Sequence, residues 1–268
     1  MIAGQSRGRG LLWDAFTVLV ILAVLSPIAV LIFSAFNDGR AFRFPPQAYS
    51  LRWFEAAFAS AEYRSSLASS TLIGMIAAAL SVVIGTMAAL PLARGAVRRR
   101  RAIELLLLAP LTLPLIVWSI ALLQIYAFLG INGSLGGLVL AHATITLPYT
   151  VRIMIAAFAG IDPHLDAAAR SLGAPPFTAF RRVTLPIVLP GLLTSAAFSF
   201  LVSFNDVIVS TFIAGSRWIT FPVRLYSQLR SQGVDPITLA IGAMIVGAIL
   251  LAVLVGELIS KRWKRTRA

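Results

Sequence analysis

The sequence predicts an all-α, polytopic membrane protein with six transmembrane helices and both termini cytoplasmic, on three observations. Of its 268 residues 59% are hydrophobic and only 12% charged, about half the charged share of a soluble domain. The apolar residues gather into six runs, each of about 20 residues or more and so long enough to cross a bilayer. The lysines and arginines fall unevenly on the segments that join those runs, which orients them. Residues 1–268 read as one membrane domain.

The runs lie near residues 12–36, 67–93, 103–129, 138–160, 191–213 and 237–259. The first is too long, and lacks a small-residue cleavage pattern, for a removed signal peptide, so it is expected to stay as a signal anchor. With the N-terminus inside, the inner segments hold Arg7, Arg9, Arg94, Arg98 to Arg101, Arg170, Arg181 and Arg182. The C-terminal Lys261, Arg262, Lys264, Arg265 and Arg267 bring them to fifteen basic residues. The outer segments hold seven, Arg40, Arg43, Arg52, Arg64, Arg217, Arg224 and Arg230, while Arg152 lies within a run. This asymmetry accounts for the net charge of +13 through topology and anionic inner-leaflet lipid. No nucleic-acid partner is needed to explain it.

The first outer segment mixes Phe42, Phe44, Tyr49, Trp53, Phe54 and Phe58 with charges and is broken by Pro45-Pro46. Leu51, Phe54 and Phe58 recur at helical spacing, predicting a short interfacial helix that either anchors at the headgroups or docks an external partner. The loop 94–101 is almost purely basic and suits anionic lipid. Pro110 and Pro114 in the third run free backbone carbonyls and predict a kink. That kink serves either helix packing or a hinge at a pathway. Residues 130–137, Gly-Ile-Asn-Gly-Ser-Leu-Gly-Gly, form a tight outer turn. Small residues within the runs, such as Gly74, Ala77, Ala78 and Ser81, allow close helix approach.

The segment 162–191 is a polar connection far longer than a turn requires. Asp162 is placed to cap a helix with Pro163 at its first position, and Leu165, Ala168, Ala169 and Leu172 give an apolar stripe. Gly173 ends that helix, and Pro175-Pro176 prevents its continuation. A second short helix over 177–183 carries Arg181 and Arg182, and Leu185-Pro186 and Pro190-Gly191 set the entry into the fifth run. Two short helices with an alanine-rich patch make a surface suited to another protein's cleft.

Here the residues resemble a known family. Ala167, Ala168, Ala169, Arg170, Ser171, Leu172 and Gly173, then nine residues, then Val183, Thr184, Leu185 and Pro186 are similar to the EAA signature of ABC importer permeases. That signature reads E-A-A, three residues, G, nine residues, I-x-L-P. One position departs: the glutamate falls on Ala167, and Asp166 supplies a carboxylate one residue earlier. The run Ser203-Phe204-Asn205-Asp206-Val207-Ile208-Val209-Ser210-Thr211-Phe212 resembles the S-F-D-D-x-x-x-S-x-F of spermidine/putrescine-type permeases, with Asn205 in place of an aspartate. Permeases for opines, aminophosphonates and other small polar solutes look similar overall.

The resemblance implies a non-catalytic permease subunit of the bacterial inner membrane, importing a small polar, amine-containing solute. It implies a cytoplasmic coupling segment over 161–190, with Asp166, Ala167, Ala168, Ala169, Arg170, Gly173, Ala174, Leu185 and Pro186 facing an ATPase. It implies as partners a second homologous permease, two ATPase subunits, an external solute-binding protein and membrane lipid. ATP and magnesium would sit on the ATPase, leaving no cofactor in this chain.

The residues themselves agree in part. There is no G-x-x-x-x-G-K-[ST] phosphate loop, no H-E-x-x-H and no cysteine, and His142 and His164 form no metal-ligand pattern. An ionised Asp206 inside a membrane run must face a cavity or a partner. It therefore either lines a pathway favouring a cationic solute or serves a structural ion pair or hydrogen bond. Asn205, Gln124, Tyr126, His142 and Tyr149 are further pathway candidates, each of which could instead bond a neighbouring helix. Glu104, Glu257 and Asp14 sit near inner membrane ends, beside arginines. A stand-alone secondary transporter or channel is the reading from another class, and it would need no thirty-residue inner surface.

Overall fold

The computed structural model describes residues 5–40, 44–233 and 235–265. Phe42, Arg43 and Arg267 lie outside the described residues, as does the side chain of Glu257. The α-helices in chain order are α1 (Gln5–Ala35), α2 (Arg52–Ala59), α3 (Ala61–Ala93), α4 (Arg100–Leu108), α5 (Leu115–Phe128), α6 (Leu135–Ala159), α7 (Pro163–Ser171), α8 (Pro176–Ala179), α9 (Leu185–Phe204), α10 (Ile208–Ile213), α11 (Phe221–Gln232) and α12 (Pro236–Arg265). The described residues form no strand beyond one isolated antiparallel bridge between Asn37 and Tyr49.

Among the described residues, four helices are long and apolar enough to cross a membrane, over Trp13–Ala35, Ala61–Ala93, Leu135–Ala159 and Pro176–Phe204. A bent pair, Arg100–Leu111 with Leu115–Phe128 at 97° to each other, is apolar enough to make a fifth if the two halves act as one span. The apolar described part of α12, Pro236–Leu251, is shorter than these.

Packing divides the chain into two units. In the first, Met1–Ala61 with Ser227–Ala268, α12 lies along α1 and against α2. Leu31 sits 3.4 Å from where a Cβ on Gly242 would stand, so this glycine brings the two long helices close. The predicted short helix over 51–58 is α2. Its approach is fixed by Asp38 N–H donating to the Ala48 carbonyl and Ser50 N–H to that of Phe36. The Arg52 guanidinium stacks 4.4 Å from the Trp53 ring centre and lies 3.6 Å from the Asp38 carboxylate.

In the second unit, Glu62–Tyr226, α6 is the central helix, packed along α9 with α10 beside it. One core cluster gathers Ile73, Leu122, Tyr126, Leu138, Val139, Ile145, Val209 and Ile213; a second gathers Ala89, Met154, Phe158 and Val188. Small residues set the spacing. A Cβ on Gly85 of α3 would stand 2.6 Å from Thr150 Cγ2 on α6, and one on Gly191 of α9 would stand 2.7 Å from Ala157 Cβ. Both glycines let backbones approach as membrane helices do.

Two expectations need correction. The third apolar run is not one kinked helix. It ends at Leu108, passes through a 3-10 turn over Ala109–Leu111, and restarts at Leu115. Pro110 and Pro114 both lack an N–H, and each disfavours helix at the residue before it; four residues apart, they break the run. The fifth run does not start at residue 191 or continue to 213. Its helix begins at Pro176, passes through a π turn over Phe180–Thr184, and ends at Phe204. The π turn explains how the second short helix joins α9: Leu185 N–H reaches the Phe180 carbonyl, five residues back, and Pro186, which has no N–H to donate, stands directly after that turn.

Candidate functional site

The break after α9 builds the wall of a cavity of about 490 Å³. Pro110, Leu111 and Leu113 of the broken third run line one side, Ile145 and Tyr149 of α6 another, and Val202 with Asn205 to Ile208 the third. The breaks in two apolar runs therefore meet at one space. Irregular backbone at membrane depth persists where it is buried in protein or lines such a cavity.

Of the pathway candidates, Tyr149, Asn205 and Asp206 line this cavity, while Gln124 and Tyr126 do not. Gln124 is exposed on α5, and Tyr126 is buried in the first core cluster. Tyr149 stacks on Phe198 with ring centres 5.1 Å apart. Asn205 is exposed and its side-chain amide donates to the Leu201 carbonyl at 2.9 Å.

Asp206 sits in the turn rather than along a helix. Its carboxylate accepts from Ser210 N–H at 2.8 Å and Val209 N–H at 3.3 Å, satisfying donors at the start of α10. Its side chain is 2% exposed, and one carboxylate oxygen lies 3.9 Å from His142 Nε2. His142, fully buried on α6, spans the break: Nδ1 is 2.7 Å from Ser203 Oγ on α9, and Nε2 is 3.1 Å from Ser210 Oγ on α10. The ring thus ties together both sides of the broken segment.

The bond to Ser203 belongs to a buried ladder. Thr150 meets Ser199 at 2.9 Å, and Thr146 meets Ser81 of α3 at 2.7 Å. Ser203, Ser210, Ser199, Thr150, Thr146 and Ser81 were not singled out for this in the sequence. Their signal was nonetheless there: His142, Thr146 and Thr150 recur every four residues on α6, as do Ser195, Ser199 and Ser203 on α9. That period places each set on one helix face.

The segment 161–190 has the two-helix form expected of it. Asp162 Oδ1 accepts from His164 N–H at 2.9 Å and caps α7. Gly173 takes φ +87° to end it, and α8 follows Pro175. Leu172 and Phe177 are left 90% and 73% exposed, while Ala167, Ala168 and Arg170 also face outward. Ala169, Gly173, Ala174 and Arg182 border a groove of about 350 Å³ between the two helices. Asp166 is turned inward, 3.6 Å from Arg94. Leu185 and Pro186 open α9. No group of three or more metal-binding side chains occurs among the described residues.

Comparison with known proteins puts this architecture in a family. The sequence profile for the binding-protein-dependent transport system inner membrane component matches residues 70–265. The chain is 30% identical to the spermidine/putrescine transport system permease protein PotC of Haemophilus influenzae, over 95% of this chain and 98% of that one. It is 27% identical to the putative 2-aminoethylphosphonate transport system permease protein PhnV of Salmonella typhi, over 98% and 99%. Its fold matches that of a chain in the crystal structure of a bacterial ABC transporter involved in import of the acidic polysaccharide alginate. The TM-score is 0.74 at 18% identity, covering 97% of this chain and 98% of that chain. The chain therefore belongs to the family of binding-protein-dependent transport system inner membrane components and is homologous to the spermidine/putrescine permeases.

Proposed function

We propose that this chain is the permease subunit of an ATP-driven importer carrying a small, polar, amine-containing solute across the inner membrane. It crosses six times, with α12 as the last span and both termini in the cytoplasm. It pairs with a second homologous permease, two ATPase subunits and an external solute-binding protein, with ATP and magnesium held on the ATPases. The observation that carries this reading is the segment 161–190, where α7, a left-handed Gly173 and α8 leave Leu172 and Phe177 bare. Apolar side chains so exposed mark an interaction surface. The π turn runs that surface straight into α9, so displacement of the short helices moves the wall that carries Asn205 and Asp206. Ala167, Ala168, Ala169, Arg170, Gly173, Ala174, Leu185 and Pro186 form the coupling segment, with Asp166 behind them against Arg94. Tyr149, Asn205 and Asp206 line the solute's path.

An amine-containing cargo is favoured by the buried carboxylate of Asp206 at the cavity wall and by the likeness to PotC. Asn205, neutral where polyamine-type permeases carry aspartate, and the likeness to PhnV favour an aminophosphonate, an opine or a similar solute as the second reading. Replacing 163–183 by a flexible linker tests the coupling: capture of the ATPase during purification should be lost. Normal ATP-coupled import by such a complex would contradict the proposal.

A further inference from the structure

The EAA-type signature raises a question that the helix geometry answers. Its glutamate position is Ala167, and the only nearby carboxylate on α7 is Asp166. Successive residues on an α-helix are turned by about 100°, so a carboxylate moved by one position points to a different face. Ala167 lies on the outward face of α7 with Ala168 and Arg170. Asp166 lies on the inward face, its side chain 25% exposed, and borders a cavity of about 400 Å³ with Phe158, Asp162 and Arg94. Its carboxylate is 3.6 Å from Arg94 Nη1, the residue that follows α3 directly.

We infer that Asp166 is a positioning residue that latches α7 to the end of α3 through Arg94, and that it does not replace the missing glutamate in contacting the ATPase. This rests on the proposed docking of an ATPase at 161–190. α7 packs on α8 and the π turn that follow it in sequence. The Arg94–Asp166 pair adds a connection across the sequence, to α3. Motion imposed on α7 is then delivered along two routes, through the continuous π turn to α9 and through the ion pair to α3. The ATPase surface opposite Ala167 needs no cation, and the docking face itself carries Leu172, Phe177, alanines and Arg170.

The test uses the full complex, co-expressed and reconstituted in lipid, with two readouts: capture of the ATPase and its ATP hydrolysis rate. Arg94→Asp and Asp166→Arg should each keep capture within twofold and lower hydrolysis by about three- to fivefold, the scale of a partly exposed ion pair. The double swap should return hydrolysis to within twofold of the parent, since the pair is restored with its charges exchanged. Loss of capture in Asp166→Arg, or a double swap no better than its worse parent, would place the partner of Asp166 on another subunit and overturn the inference. Where a reversal prevents assembly, Asp166→Asn and Arg94→Gln replace it. Their effects should not add in the double variant, and additive losses overturn the latch. If the flexible-linker replacement of 163–183 leaves capture unchanged, the docking reading itself fails and the latch falls with it. A failed swap with capture still dependent on 163–183 sinks the latch alone.

Discussion

Asp206 shows how one residue can serve two demands at once. Its carboxylate satisfies two backbone donors at the start of α10, and it lies at the wall of a cavity of about 490 Å³. Asp206→Asn keeps an acceptor for those donors but removes the charge. The expected outcome is an intact complex with transport of a cationic solute lowered about tenfold, equivalent to roughly 1.4 kcal/mol. Unchanged transport would leave Asp206 a purely structural cap. His142 differs, because it is fully buried and bonded on both sides of the break. His142→Ala leaves the Ser203 and Ser210 hydroxyls without that partner, at a cost of roughly 1–3 kcal/mol for each group left unsatisfied. Thermal unfolding in detergent should show a lower midpoint than the parent, and an unshifted midpoint would mean the ring contributes nothing to the break. The sequence pointed to Asp206 because a carboxylate in an apolar run demands explanation. It could not rank His142 above Gln124 or Tyr126, since burial and partners depend on which helix faces which.

At the scale of elements, apolar length and helix-ending residues predicted most of the helices, and close packing explains what they missed. Asp162 as cap, Pro163 at the first position and Gly173 at the end were legible one by one, and α7 follows them. The 97° bend in the third run was visible only as two prolines, because a proline breaks hydrogen bonds without fixing the direction of the next helix. The turn at 205–207 was hidden, since an Asn-Asp pair inside an apolar run does not by itself end a helix. The start of α9 was misplaced for a related reason: Pro186 and Pro190 read as the entry to the run, whereas the helix already passes through a π turn over Phe180–Thr184 and carries Pro190 within it. Gly85 carries a packing prediction for this scale. A leucine there would drive into Thr150 and separate α3 from α6, at a cost of about 1–3 kcal/mol. Gly85→Leu should lower thermal stability of the purified chain, and a variant as stable as the parent would show that the contact yields without strain.

For the whole molecule, the parts connect in one direction. A surface of exposed apolar side chains at 161–190 continues through α9 to a broken segment, and that segment forms the cavity wall. Membership of the family follows from residues 70–265, and the proposed cargo is tested by transport. The measurement that bears most directly on the proposal is uptake of labelled putrescine and 2-aminoethylphosphonate into proteoliposomes. These would hold either this chain alone or the chain with its co-expressed permease, ATPase and solute-binding partners. Uptake of one of the two solutes by the complete complex, dependent on ATP and absent for the chain alone, is the expected result. Flux through the chain alone, indifferent to ATP, would contradict it and return the protein to the class of self-sufficient transporters or channels.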